Sequence, residues 1–216
     1  MGSPSQINAL SWRVAASVAE RVLGLQVFHL HPGGGQYDVL SLQVGGATLA
    51  DLNRNGRIFI AGTTPLEWDE VLSDGVNACL SSIVANAPIA GDASDRQTPR
   101  VTTYRMVAAL LERLTRGDDS VRWDAEAVMF DASDAAFVRT EYLFEQRILI
   151  DADPYEVWCL KANGEPVLSV YDGHGRTASG TEFHWETCND ATVDALQKLV
   201  REERQRWPIT DLYDGE

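Results

Sequence analysis

Val39-Leu40-Ser41-Leu42-Gln43-Val44-Gly45-Gly46-Ala47-Thr48-Leu49-Ala50-Asp51-Leu52 is the stretch on which the fold turns. Apolar and polar residues alternate on both sides of a Gly-Gly pair. That pattern belongs to two strands joined by a tight hairpin, because the favoured two-residue turns need positive φ and glycine adopts it without penalty. The first of these strands is expected to start at Tyr37. Leu25 to His31 reads as a strand before it, set off by Pro32-Gly33-Gly34-Gly35. After it, Ala47 to Leu52 and Arg57 to Ala61 flank a second turn at Asn55-Gly56. Four strands in series with short turns make an antiparallel meander.

Helical signals lie on both sides of this meander. Ser11 is placed to cap a helix running to about Leu23, with Val14, Val18 and Val22 on one stripe. Thr64-Pro65-Leu66-Glu67 has the form of a capping box with proline in the first turn. The helix it starts carries Trp68, Val71 and Leu72 inward and is divided at Gly75 from Val76 to Asn86. Pro88 to Gln97 reads as a linker.

Beyond the linker a similar series begins. Thr98-Pro99 opens a helix with Tyr104, Val107, Ala108, Leu111 and Leu114 on one face, stopped at Gly117. Val121 to Phe130 is expected as a strand, Ala135 to Phe144 as a helix and Arg147 to Ile150 as a short strand. Glu156 to Leu160 and Pro166 to Tyr171 form a hairpin about Asn163-Gly164. Asp172 to Thr181 reads as a glycine-rich loop and Phe183 to Glu186 as a last strand. The final helix is capped by Asn189 and ends at Trp207-Pro208. At an offset of 118, Tyr37 meets Tyr155, Val39 meets Val157, Leu42 meets Leu160 and Gly46 meets Gly164. Leu49 then meets Val167 and Leu52 meets Val170. Either the module is duplicated, or two hairpins share a common pattern. The expected fold is α+β, with antiparallel sheets covered by helices. An N-terminal helix–meander–helix module is expected over 1–92 and a C-terminal α+β module over 93–216.

The chain of 216 residues carries 18 Lys and Arg against 32 Asp and Glu, a formal charge of −14. Nucleic acid and anionic membrane are poor partners for such a surface, because both demand a basic face. Residues 1–98 hold 9 acids and 5 bases, whereas residues 99–216 hold 23 acids and 13 bases. The first ten residues contain neither an apolar run nor a basic start, so a signal peptide is not expected and the cytoplasm is the expected location. Cys79, Cys159 and Cys188 have neither disulfide nor zinc-site spacing and read as reduced thiols.

Several constellations invite a chemical reading. His29 and His31 share a strand face and could begin a metal site, but no third ligand stands at fixed spacing. Gly33-Gly34-Gly35 could cradle an anion, yet a strand follows it where a phosphate loop has Gly-Lys-Ser/Thr and a helix. Asp151 and Asp153 end an apolar run and could hold a divalent cation for phosphoryl or glycosyl transfer. A strand-to-turn boundary with solvated acids is the plainer reading. Asp51-Leu52-Asn53-Arg54 puts bulky polar groups beside a turn, where Asp51 and Arg54 could pair. Nucleophile-elbow, zinc-protease and dinucleotide fingerprints are missing from the sequence.

Ser11-Trp12-Arg13, then His31-Pro32-Gly33-Gly34-Gly35-Gln36-Tyr37-Asp38, then Asp51-Leu52-Asn53-Arg54 and Gly56, resemble in order and spacing an actinobacterial family, the TY-Chap group. This group gathers peptide-binding chaperones with type III secretion chaperones and YbjN proteins. Thr98-Pro99-Arg100 with Tyr104 to Leu111 resembles its second helix block, so the likeness covers about residues 11–131. The resemblance implies a non-enzymatic module whose sheet receives a polypeptide, with no cofactor, no metal and no catalytic residues. The residues it would use are Gly33, Gly34, Gly35, Gln36, Tyr37, Asp38, Asp51, Asn53 and Arg54, which either bind the partner or shape the fold. Secretion chaperones are commonly dimers, which implies a homodimer, and the acidic surface suits clients with basic segments. The competing functions are a metal-dependent enzyme on Asp151 and Asp153, and an accessory or immunity-type protein of a bacterial conflict system.

Overall fold

The computed structural model describes residues 4–30, 39–54, 56–87, 97–116, 120–130, 155–171 and 173–206. Among these are five helices and two five-stranded antiparallel sheets, an α+β fold. The chain divides into two compact units, Met1–Glu112 and Arg113–Glu216.

The first unit opens with α1 (Pro4–Ala19) and continues through β1 (Leu25–Leu30), β2 (Val39–Val44), β3 (Ala47–Asn53), β4 (Arg57–Ile60) and β5 (Leu66–Glu67). The strands lie side by side in chain order. Helices α2 (Trp68–Asp74), α3 (Val76–Ala85) and α4 (Gln97–Leu114) follow, the last two residues of α4 falling in the second unit. The pairing register sets one sheet face as Leu25, Val27, Leu40, Leu42, Ala50, Leu52, Ile58 and Ile60, all buried. Helices α1 and α3 pack together, and Trp12 of α1 meets Tyr104 of α4 with ring centres 5.9 Å apart. Such aromatic contact adds about 1 kcal/mol to what burial contributes.

Two helix starts differ from expectation. Ser11 does not cap α1. It lies inside the helix, fully buried, and its hydroxyl donates to the Ile7 carbonyl at 2.9 Å. A serine bonded back to the residue four before satisfies itself without ending the helix. The expected capping box is displaced by three residues. Leu66 and Glu67 pair with β4, so Glu67 becomes the N-cap of α2 and forms the reciprocal box with Glu70. The division at Gly75 is as expected, with φ of 98°.

The second unit holds β6 (Trp123–Phe130), β7 (Tyr155–Ala162), β8 (Glu165–Tyr171), β9 (His174–Thr177), β10 (Glu182–His184) and α5 (Asp190–Arg206), again a meander in chain order. Asn163 (φ 52°) and Gly164 (φ 87°) make the β7–β8 turn, as Gly45 and Gly46 make the β2–β3 turn. Asn189 caps α5 as expected, its Oδ1 accepting the Thr192 N–H at 2.9 Å. Val193, Leu196 and Val200 of α5 are buried, and α5 packs on β8. The expected loop from Asp172 to Thr181 contains strand β9. The expected helix over 135–144 and strand over 147–150 lie outside the described residues, as does the expected linker Pro88 to Gln97 apart from Gln97, which begins α4.

The two sheets agree in detail. In β2–β3 the register slips after Leu42↔Ala50, leaving Leu49 as an extra residue before Gln43↔Thr48. In β7–β8 it slips after Leu160↔Leu168, leaving Val167 extra before Lys161↔Pro166. Each bulge lets two successive residues point inward, and Leu49, Ala50, Val167 and Leu168 are all buried. The Leu49 carbonyl accepts Ala61 N–H at 3.0 Å and the Val167 carbonyl accepts Ala178 N–H at 3.1 Å. Gly56 O accepts Trp68 N–H at 3.0 Å, and Gly173 O accepts Trp185 N–H at 2.9 Å. The offset is 118 through β8 and 117 after it, because the turn from β8 to β9 is one residue shorter than that from β3 to β4.

Candidate functional site

Of the expected site residues, Gly33, Gly34, Gly35, Gln36, Tyr37 and Asp38 lie outside the described residues. Asp51, Asn53 and Arg54 are described, and the strand separates them. Successive residues of a strand point to opposite faces, so Asp51 and Asn53 share the face opposite Leu52. Leu52 belongs to the row His29–Leu40–Leu52–Ile58–Leu66, the face on which the core is built.

Arg54 follows β3 and is 3% exposed. Its Nη2 contacts His29 Nε2. A guanidinium only donates, so Nε2 accepts and the imidazole carries its proton on Nδ1. The lone pair that a metal would use at that nitrogen is thereby committed to Arg54. His31, the other half of the expected histidine pair, lies outside the described residues. Asp51 and Arg54 do not pair: the arginine turns toward His29 in the core row, while Asp51 faces the other way.

Asn53 organises the turn through its backbone. Its carbonyl accepts the Trp68 indole N–H at 2.6 Å and the Gly56 N–H at 3.4 Å. Trp68 is itself buried, so the first residue of α2 pins the end of β3. Arg57 and Glu67 face each other across β4 and β5 with an exposed ion pair at 2.9 Å, which adds little stability.

The face carrying Asp51 has its own order. Phe28, Ser41, Asp51 and Phe59 stand directly opposite one another on β1, β2, β3 and β4. Ser41 is buried and accepts from Gln43 Nε2 at 3.2 Å. Phe59 is 43% exposed, an unusual position for so large an apolar side chain. Asp51 Oδ1 is shielded from solvent and has no hydrogen-bond partner among the described residues. The half-buried Asp51 carboxylate, opposite an exposed phenyl ring, suits a cationic or N–H group presented with apolar surface. Sequence reasoning singled out Asp51 but not Phe28, Ser41 or Phe59. The available signal was Ile58-Phe59-Ile60: in a half-buried strand, three successive large apolar residues force one outward.

The remaining chemical candidates are quieter. Asp151 and Asp153 lie outside the described residues. Among the described residues, no group of three or more His, Cys, Asp or Glu could hold a metal ion. The cysteines are free, Cys79 and Cys159 are buried, and burial pushes the Cys79 thiol up to about 11. Among the described residues no helix is long and apolar enough to cross a membrane.

The family model described as T3SS (YopN, CesT) and YbjN peptide-binding chaperone 2, TY-Chap2, matches residues 9–202. The match passes residue 131, where the motif-level resemblance stops, and runs through both meanders. Comparison with curated proteins and with solved structures finds no match.

Proposed function

The chain belongs to the TY-Chap2 family of peptide-binding chaperones, and on that premise we propose that it holds a polypeptide against the Asp51 face of its first sheet. It acts by binding and release, without catalysis. The client lies along β3 and β4, with a lysine or arginine at Asp51 and an apolar neighbour on Phe59. The observation that carries this reading is the half-buried Asp51 carboxylate directly opposite the exposed Phe59 ring. An excess of 14 acidic residues supports clients with basic segments by raising their local concentration and on-rate. Arg54 and Asn53 serve the site by fixing the end of β3. Gly33 to Asp38, which stand between β1 and β2 in the sequence, belong to the same proposal as client contacts.

The test is titration calorimetry with a panel of extended peptides that alternate basic and apolar residues. Asp51→Asn keeps shape and removes charge, and is expected to weaken binding about tenfold with little change in melting temperature. Phe59→Ser is expected to do the same. Unchanged affinity in both variants, or no peptide bound by the parent chain, removes the proposal. A homodimer and a cytoplasmic setting belong to the same reading. Sedimentation at micromolar concentration is expected to give twice the chain mass, and a monomer would exclude the dimer.

A further inference from the structure

His174 and His184 occupy one position of the β9–β10 ladder, directly opposite each other. Both are exposed, and their ring centres are 4.5 Å apart with planes tilted by 51°. Among the described residues neither ring hydrogen-bonds or ion-pairs with another group. The backbone beneath them is fixed at both ends of the pairing. Trp185 N–H donates to Gly173 O at 2.9 Å on one side, and Thr177 N–H donates to Thr181 O at 2.9 Å on the other. The turn itself is tied to α5, because Glu203 accepts from Ser179 N–H and Ser179 O–H, both at 2.6 Å.

A metal bound to two imidazoles sits about 2.0–2.1 Å from each nitrogen and so about 3.2 Å from each ring centre. Ring centres 4.5 Å apart then subtend roughly 90° at the ion, the angle between neighbouring positions of a tetragonal site. A tetrahedral ion requires the rings to open slightly further. Imidazole nitrogen favours late first-row ions over Mg2+ and Ca2+, which prefer oxygen. We propose that His174 and His184 form a surface chelate for a late first-row divalent cation, Cu2+ or Ni2+ ahead of Zn2+, with water completing the coordination. An ion held there joins β9 to β10 through side chains as well as backbone, and the acidic C-terminal part of the chain, with 23 acids against 13 bases, draws cations toward it.

Calorimetry and thermal melts of the full chain with NiCl2 test this directly. One ion per chain is expected, with a melting temperature raised by about 3–6 °C when free metal exceeds its dissociation constant tenfold. His174→Gln and His184→Gln are each expected to abolish the shift, and MgCl2 and CaCl2 to produce none. Electron paramagnetic resonance of the unmodified chain with one equivalent of Cu2+ is expected to show two nitrogen ligands. No binding, an equal shift with Mg2+, or a shift retained in both variants would overturn the proposal, as would a Cu2+ spectrum without nitrogen coupling.

Discussion

Arg54 illustrates how the setting of one side chain depends on the strand register. Four polar or bulky residues beside a turn are legible in the sequence, but which way each points depends on the strand register. That register places Asp51 on the face away from the core and puts the Arg54 guanidinium against His29. Arg54→Ala is expected to cost about 2–3 kcal/mol, because it deletes a buried charge-assisted hydrogen bond, and a denaturant melt checks this. Gly173 makes the converse case. Its φ is +76°, and an added Cβ would lie 2.4 Å from the Trp185 carbonyl oxygen. Gly173→Ala is therefore expected to destabilise by about 2 kcal/mol or more, whereas Gly164→Ala meets no neighbour and pays only for its own positive φ. Cys79 has a thiol pKa raised by burial from 9.0 to about 11. Above pH 9 the unfolded chain loses that proton while the folded chain keeps it, so stability falls between about pH 9 and 11. Cys79→Ser is expected to flatten that part of the pH–stability curve.

At the scale of elements, the strands that alternate cleanly were legible and those that do not were missed. Strands β2, β3, β7 and β8 fall where alternation and glycine turns put them. Strand β9 was hidden by its composition, His174-Gly175-Arg176-Thr177, which reads as a loop. Gly175 is there because the Phe183 ring of β10 lies across it, 2.0 Å from where a Cβ would sit. A glycine inside a strand marks such close approach, but only the partner strand reveals it. Glu203 was missed for a related reason: a charged residue on an amphipathic helix normally faces water. Here it is 1% exposed and holds the β9–β10 turn through two hydrogen bonds. Glu203→Ala is expected to cost about 2–3 kcal/mol and to raise amide exchange around residue 179. Replacing Asn189 with Ala removes one cap and is expected to cost about 1 kcal/mol.

Across the whole molecule, the sequence offered two readings of the echo between its halves, and the backbone favours duplication. Shared alternation could arise by chance, but a bulge at the same ladder step and two matching hydrogen bonds outside the ladder are not demanded by a hairpin pattern. The site was less legible than the fold, since the residues that frame Asp51 come from three different strands and no local motif joins them. Two cores in two units predict that distant losses add. The double variant Arg54→Ala, Gly173→Ala is expected to show the sum of the single effects to within about 0.5 kcal/mol. The single missing residue between β8 and β9 bears on how such a chain could diverge. Removal of one residue within a strand would turn every later side chain to the wrong side, whereas removal within the turn leaves both faces as they were. The two meanders therefore keep one inward pattern across a tolerant joint, and a chimera carrying residues 157–171 in place of 39–53 should keep its strand register but require smaller neighbours where Trp158 and Leu168 replace the buried Leu40 and Ala50.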